Sequence, residues 1–251
     1  MSNKDLNYID IHCHYDDLSI SQLKEEFNGE IQTSVCAAVS FNSFEKLEIL
    51  RKEKIPNLYF AYGLFPDVIL EYSLEECLSQ LSKMDFSHAI AIGEIGIDYK
   101  ITKDPEKRKE QRIIFEKQLE IAKANDLPAI IHTRYATKSI LEILEPYSGF
   151  PIILHWYAGS KDEIQTALDR GYYLTIRFNK PIIPNIKDHL DQIFIETDYP
   201  VPFEGNPLKV SDIQKSYETF AKENDINLEY LKEKMNNNFN KLFLKKWRAY
   251  V

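Results

Sequence analysis

Short apolar runs rich in β-branched residues recur along the chain, and segments with helical spacing separate most of them. This pattern predicts strands over 8–12, 33–40, 58–62, 89–94, 129–133, 152–156, 172–178 and 193–198. Helical spacing follows near 43–53, 73–84, 105–125, 136–145 and 161–170, and two or three further helices fill 209–247. The 105–125 helix carries the fullest set of signals. Asp104 is placed to cap it, Pro105 suits its first position, and Phe115, Leu119 and Ala122 mark a buried stripe. Asp126-Leu127-Pro128 then stops it. The seventh connection is short and broken by Pro181 and Pro184. Eight strand-like runs alternating with helices predict an α/β fold, a (β/α)8 TIM barrel with extra C-terminal helices, as a single domain over 1–251. A doubly wound open sheet would carry a glycine-rich phosphate loop after its first strand, and this sequence has none there.

Chemistry gathers where the runs end. Alternate residues of a strand share a face, so His12 and His14 point together and Cys13 points away. Five of the eight runs end in residues that bind metals: His12 with His14, Glu94, His132, His155 and Asp198. A barrel brings all its strand ends to one face, so these residues converge. Four imidazoles and two carboxylates exceed one tetrahedral site with an open position and suit two divalent ions, Zn²⁺, Mn²⁺ or Mg²⁺. Glu94 is placed to bridge the pair, and Asp198 to bind one ion and take a proton from an activated water. Each residue alone has a plainer reading, as a core histidine or a structural ion pair, and the convergence outweighs it. Asp98 reads as a loop-ordering group, while His88 and His189 precede strands and read as structural.

The net charge of −8 disfavours a protein that coats nucleic acid, yet leaves nucleic acid open as a substrate, because bound cations bring their own field. Cations and aromatics at the strand ends supply candidate substrate contacts. Arg134 and Arg177 are placed for phosphate, and Trp156, Tyr157 and Tyr199 for stacking on a base. Lys100, Lys103, Lys107, Arg108, Lys109 and Arg112 form a basic cluster whose commoner use is a solvated face. Three scattered cysteines, no apolar run of membrane-spanning length and a polar N-terminus predict reduced thiols, no membrane and a cytoplasmic location.

The phrases Ile9-Asp10-Ile11-His12-Cys13-His14, Ile92-Gly93-Glu94-Ile95-Gly96-Ile97-Asp98-Tyr99, Leu127 to Arg134 and Glu196-Thr197-Asp198-Tyr199-Pro200 resemble those of the TatD-related metal-dependent DNases of the amidohydrolase superfamily. Gln111 to Lys123 and Asn238 to Phe243 extend the resemblance over nearly the whole chain. It implies a metal-dependent hydrolase barrel that cleaves phosphodiester bonds of DNA, often from the 3′ end of single strands. It assigns His12, His14 and Asp198 to one ion, His132 and His155 to the other, and Glu94 to the bridge. The sequence also departs from the family. Phe65 stands where a histidine is usual, Tyr135 where an aspartate is frequent, and Ile176-Arg177-Phe178-Asn179 where small residues are expected. These trimmed features resemble the diverged TatD-like members of bacterial Qat antiphage gene sets, which brings protein partners into view. Two alternatives stay open: a hydrolase of an amide, lactone or aminoacyl ester, and a non-catalytic metal-binding partner in a larger assembly.

Overall fold

The computed structural model describes residues 6–178, 183 and 185–244. Eight parallel strands form one sheet in sequence order: β1 (Tyr8–Cys13), β2 (Gln32–Ala37), β3 (Leu58–Tyr62), β4 (Ala91–Asp98), β5 (Ala129–Arg134), β6 (Ile152–Leu154), β7 (Tyr173–Ile176) and β8 (Ile193–Ile195). Helices α1 (Ile20–Glu26), α2 (Phe41–Arg51), α3 (Leu74–Leu81), α4 (Pro105–Asn125), α5 (Thr137–Ile143) and α6 (Lys161–Asp169) lie between the strands. After the sheet come α7 (Ile213–Glu223) and α8 (Leu228–Phe239), which provide the expected C-terminal helices. The architecture is the TIM barrel. Almost every strand residue is buried, as parallel strands covered on both faces must be.

No ladder pairs β8 with β1 among the described residues, and the seam is closed just past the strand ends. Asp198 N–H donates to the His12 carbonyl at 3.0 Å, and His14 N–H donates to the Tyr199 carbonyl at 2.7 Å. Buried Asp10 reinforces this seam, accepting from the backbone N–H of Thr197 at 3.0 Å and from its hydroxyl at 2.7 Å. Burial raises the Asp10 carboxyl to about 7, against the hydrogen bonds from Thr197. The first and last strands thus hold His12, His14 and Asp198 in one rigid frame.

Helix α4 follows its predicted bounds. Asp104 accepts from Glu106 N–H at 2.9 Å, and the chain leaves the helix at Asp126 in the left-handed region, φ 53°. Its buried stripe includes two glutamines that grip loops at the barrel mouth. Gln118 donates to the Leu64 carbonyl at 3.1 Å and accepts from Leu64 N–H at 2.7 Å. Gln111 bonds both the N–H and the carbonyl of Asp98, at 3.2 and 3.1 Å. Most of the basic cluster is spent locally. Lys107, Lys109 and Arg112 pair with Glu110, Glu106 and Glu116, and Arg108 donates to the carbonyls of Thr102 and Tyr99.

Several boundaries differ from the sequence reading. Strand β2 ends at Ala37 because Ser40 caps α2, accepting from Ser43 N–H at 3.1 Å. Strand β4 starts two residues later than predicted and runs on to Asp98, so Glu94 stands inside a strand, at a register shift between Ile92 and Ile95. Strands β6, β7 and β8 are shorter, which leaves His155, Trp156, Arg177 and Asp198 on the turns just beyond them. Helix α1 is absent from the sequence reading. Only Leu23 of its seven residues is buried, so it has no periodic stripe, and Ser19 with Gln22 in a capping box is its readable mark. Asn179, Pro181, Pro184 and the chain past 244 lie outside the described residues.

Candidate metal centre

Glu94 stands at the middle of the converging strand ends. Its Oε2 lies 3.4 Å from His12 Nε2 and 3.5 Å from His14 Nε2. Its Oε1 lies 3.0 Å from His132 Nδ1 and 3.6 Å from His155 Nε2. Each oxygen of one carboxylate therefore faces a different pair of imidazoles. Asp198 Oδ1 joins the first pair, 3.7 Å from His12 Nε2 and 3.5 Å from His14 Nε2, and is 3.9 Å from His155 Nε2.

The donor set fits bound cations. Ligand atoms ~2.0–2.2 Å from one ion lie about 3.3–3.6 Å apart at tetrahedral angles. The contacts of His12 and His14 with Glu94 and Asp198 span 3.4–3.7 Å. His12 is the sharpest sign, because both of its ring nitrogens are buried with no hydrogen-bond partner. An imidazole stranded in that way is costly unless something outside the protein takes its lone pair. Three groups of donors close enough to share an ion overlap here: His12 with His14 and Glu94, Glu94 with His132 and His155, and His12 with His155 and Asp198.

Hydrogen bonds behind these imidazoles fix which nitrogen faces inward. His14 Nδ1 donates to the Ala37 carbonyl at 2.9 Å, leaving the Nε2 lone pair toward Glu94 and Asp198. His155 Nδ1 donates to buried Glu196 at 3.0 Å, which leaves its Nε2 facing the centre. On the outer side of His132, Nε2 is 3.4 Å from Asp98 Oδ2, and Asp98 also accepts from Lys100 N–H at 2.8 Å. Gly96 lets β5 close on β4. A side chain on it would place its Cβ 2.0 Å from the His132 carbonyl, at φ +150°.

These contacts set the charges. Burial pushes Glu94 up, but the charges of His12 and His155 and the close contact with His132 hold it well below the usual carboxylate range. Asp198 is lowered in the same way, mainly by the His155 charge and the His14 hydrogen bond working against burial. Burial opposes protonation of His14 and His155, yet their carboxylate neighbours raise them to about 10 and about 9. His12 goes the other way, lowered by burial and by the His155 charge.

All six predicted ligands meet at this one place. Of the predicted substrate contacts, Arg134 and Trp156 are exposed at the mouth, and Tyr199 is half-buried with its ring 5.6 Å from that of Tyr15. Tyr157 is half-buried as well. Arg177 requires a correction, because it does not line the mouth. It is 1% exposed and lies behind Asp198, with Nη1 3.6 Å from Asp198 Oδ2. Its Nε donates to the Thr197 carbonyl at 2.5 Å, and its Nη2 donates to the Val201 carbonyl. The apolar lid of Trp156 and Phe203 over the guanidinium keeps it from solvent. Cys13 is buried and turned outward, its thiol on the Val35 carbonyl. Phe65 packs edge-on against His132 at 4.6 Å between centroids. Sequence reasoning missed Glu196 and Asp10. Each stands two residues before a candidate ligand and shares its face, which is the signal that would have found them.

The sequence profile of the family described as TatD related DNase matches residues 9–244. The chain belongs to that family. A protein of Methanocaldococcus jannaschii called an uncharacterized metal-dependent hydrolase is 26% identical, over 96% of this chain and 98% of that protein. Escherichia coli YjjV, described in the same words, is 28% identical over 80% of this chain and 83% of its own. The crystal structure of YjjV, a TatD homolog, superposes with a TM-score of 0.77 at 23% identity, covering 94% of this chain and 97% of that one. A TatD family hydrolase of Entamoeba histolytica gives a TM-score of 0.74 at 19% identity, covering 95% and 98%. These superpositions establish the shared barrel. The TatD barrel found here is that of a metal-dependent hydrolase, with a donor set at its mouth able to hold metal.

Proposed function

We propose that this TatD-related protein is a cytoplasmic nuclease that hydrolyses phosphodiester bonds of DNA, preferring single strands and working from the 3′ end, with two divalent ions at its mouth. The observation that carries the reading is the division of Glu94, one oxygen toward His12 and His14 and the other toward His132 and His155, in a chain of a DNase family. Bound there, divalent ions supply Lewis acidity to a phosphoryl oxygen and lower the pKa of a water.

The chain's own residues do the rest. Asp198 is kept ionised, with Oδ1 turned into the centre and Arg177 facing Oδ2, and this carboxylate would both hold an ion and take the proton of the attacking water. That water oxygen bonds to phosphorus as the bond to the 3′-oxygen breaks, and the proton taken by Asp198 passes to the leaving oxygen, which restores the carboxylate. Arg134, exposed beside His132, offers its guanidinium to a phosphate oxygen. Helix α4 holds Leu64 and Asp98 through Gln118 and Gln111, which keeps the loops around His132 in place.

The test is cleavage of end-labelled single-stranded DNA by the wild type and by His132→Ala and Asp198→Ala. Both variants are expected to lose at least 100-fold in rate with their folds intact. Wild-type cleavage in both would remove the proposal. One further reading is hydrolysis of an amide, lactone or aminoacyl ester, because the same set of imidazoles and carboxylates would activate a water for attack on carbon. Parallel assays on such substrates separate it from DNA hydrolysis. The resemblance of the departures at Phe65, Tyr135 and 176–179 to the Qat members extends the proposal to a place in antiphage defence with protein partners, which plaque counts on cells carrying the wild-type or Asp198→Ala gene set would test.

A further inference from the structure

Beside the metal centre a cavity of about 630 Å³ opens at the ends of β5 and β6, walled in part by His132, Arg134, Tyr135, His155, Trp156 and Val201. Its volume suits a small ligand. Eight large hydrophobic side chains are exposed among the described residues, and three of them, Tyr135, Trp156 and Val201, belong to this one wall. Packing leaves Tyr135 unexplained and accounts for only one side of Trp156. Tyr135 is 77% exposed with no ring partner among the described residues, and Trp156 is 43% exposed. Both hold left-handed backbone, φ +54° and +37°, which aromatic residues rarely adopt.

Trp156 is fixed as a platform. Its backbone N–H donates to Thr175 Oγ1 at 2.7 Å and to Glu196 Oε1 at 3.0 Å. The buried Arg177 guanidinium lies over its ring, 4.8 Å from the centroid. A cation from the interior thus covers the indole on one side and leaves the rest for the cavity. Arg134 forms no ion pair among the described residues, and its charge lies close enough to act on Asp98.

We infer that this cavity is a subsite for one unpaired nucleobase, that of the nucleotide whose phosphate lies at the metal centre. The base stacks on Trp156, Tyr135 forms a second wall, and Arg134 meets the phosphate. The inference rests on the proposed phosphodiester substrate and specifies how the enzyme selects it. A base held in a duplex cannot enter without leaving its stack, so the subsite selects single strands and frayed ends.

The test uses the full chain carrying Trp247→Phe, which leaves Trp156 as the only tryptophan. Its fluorescence is titrated with deoxyadenosine 5′-monophosphate and, separately, with 2-deoxyribose 5-phosphate, with Mn²⁺ present. The nucleotide is expected to quench Trp156 saturably, and the base-free sugar phosphate to bind far more weakly. Tyr135→Asn suits the left-handed backbone and removes only the ring, so it is expected to weaken the nucleotide roughly 5- to 150-fold, the range for one base–aromatic stack. Equal binding of the two probes, or an unchanged affinity in Tyr135→Asn, overturns the inference. Cleavage of single-stranded DNA is measured on the same preparations. DNA cleavage without base-dependent quenching would defeat the subsite and keep the nuclease. Base-dependent quenching without any DNA cleavage would keep the subsite and defeat the nuclease.

Discussion

Replacing Glu196 by Gln probes the metal centre without touching a ligand. Glu196 is fully buried, and its carboxylate accepts from His155 Nδ1 and from Trp156 N–H, each at 3.0 Å. A glutamine oxygen can still serve Trp156. Its amide nitrogen then faces His155 Nδ1 and donates to it, which moves the imidazole proton to Nε2. That nitrogen is the one 3.6 Å from Glu94 Oε1, so the lone pair meant for an ion is lost. Groups that orient a metal-binding histidine are worth 10–100-fold in affinity, or about 1.4–2.8 kcal/mol. Glu196→Ala separates this from folding. Thr175 still satisfies Trp156 N–H at 2.7 Å, so the orphan is His155 Nδ1–H, at a cost of about 1–3 kcal/mol in the metal-free protein. The assay is a Zn²⁺ titration with a competing chelator, followed by denaturant unfolding of each metal-free variant. Glu196→Gln should lose affinity with little loss of stability, and Glu196→Ala should lose both. Wild-type affinity in Glu196→Gln would refute the assignment of His155 as an oriented ligand.

Proton linkage gives a second expectation. In the metal-free protein His14 and His155 rise to about 10 and about 9, from an ordinary 6.5, so the folded state holds protons that the unfolded state has released. Their contribution to stability is full below pH 6.5 and fades as pH climbs to 9–10, which thermal unfolding in chelator would follow. Ion binding must expel those same protons, so affinity should rise over that window, and calorimetry in buffers of different ionisation enthalpy should detect proton release at pH 7. Gly96→Ala would press a methyl into the His132 carbonyl and should cost roughly 2–5 kcal/mol, read as a fall of about 5–15 °C in Tm. Arg177→Met removes a buried cation from beside Asp198 and should cost about 3–5 kcal/mol in urea unfolding; a loss below ~1 kcal/mol would show that the pair is not holding the segment after β8.

The barrel was legible because each strand is a buried apolar run and each long helix carries a stripe or a stop. Helix α4 shows this best, its cap, first proline and terminator all being local chemistry. Helix α1 was not legible, since one buried residue makes no period. The six candidate ligands were legible because strand ends converge in a barrel, so residues far apart in sequence could be grouped by their place in the repeat. Their division between two sets could not be read from the residues alone, because it depends on how Glu94 is turned from a mid-strand position. Arg177 shows the opposite failure. A cation after a strand suggests a phosphate contact, and only the folded chain reveals Trp156 and Phe203 covering it.

The central claim, that Glu94 divides one site between two ions which act together on DNA, is tested most directly by metal titration of the chelated protein. Cleavage of end-labelled single-stranded DNA and the number of ions bound per chain are followed on the same samples as Mn²⁺ is added. The account predicts negligible cleavage with one equivalent bound, a rise that tracks the second, and loss of both the second ion and cleavage in Glu94→Ala. Full cleavage with one ion bound, or in excess chelator, would contradict it.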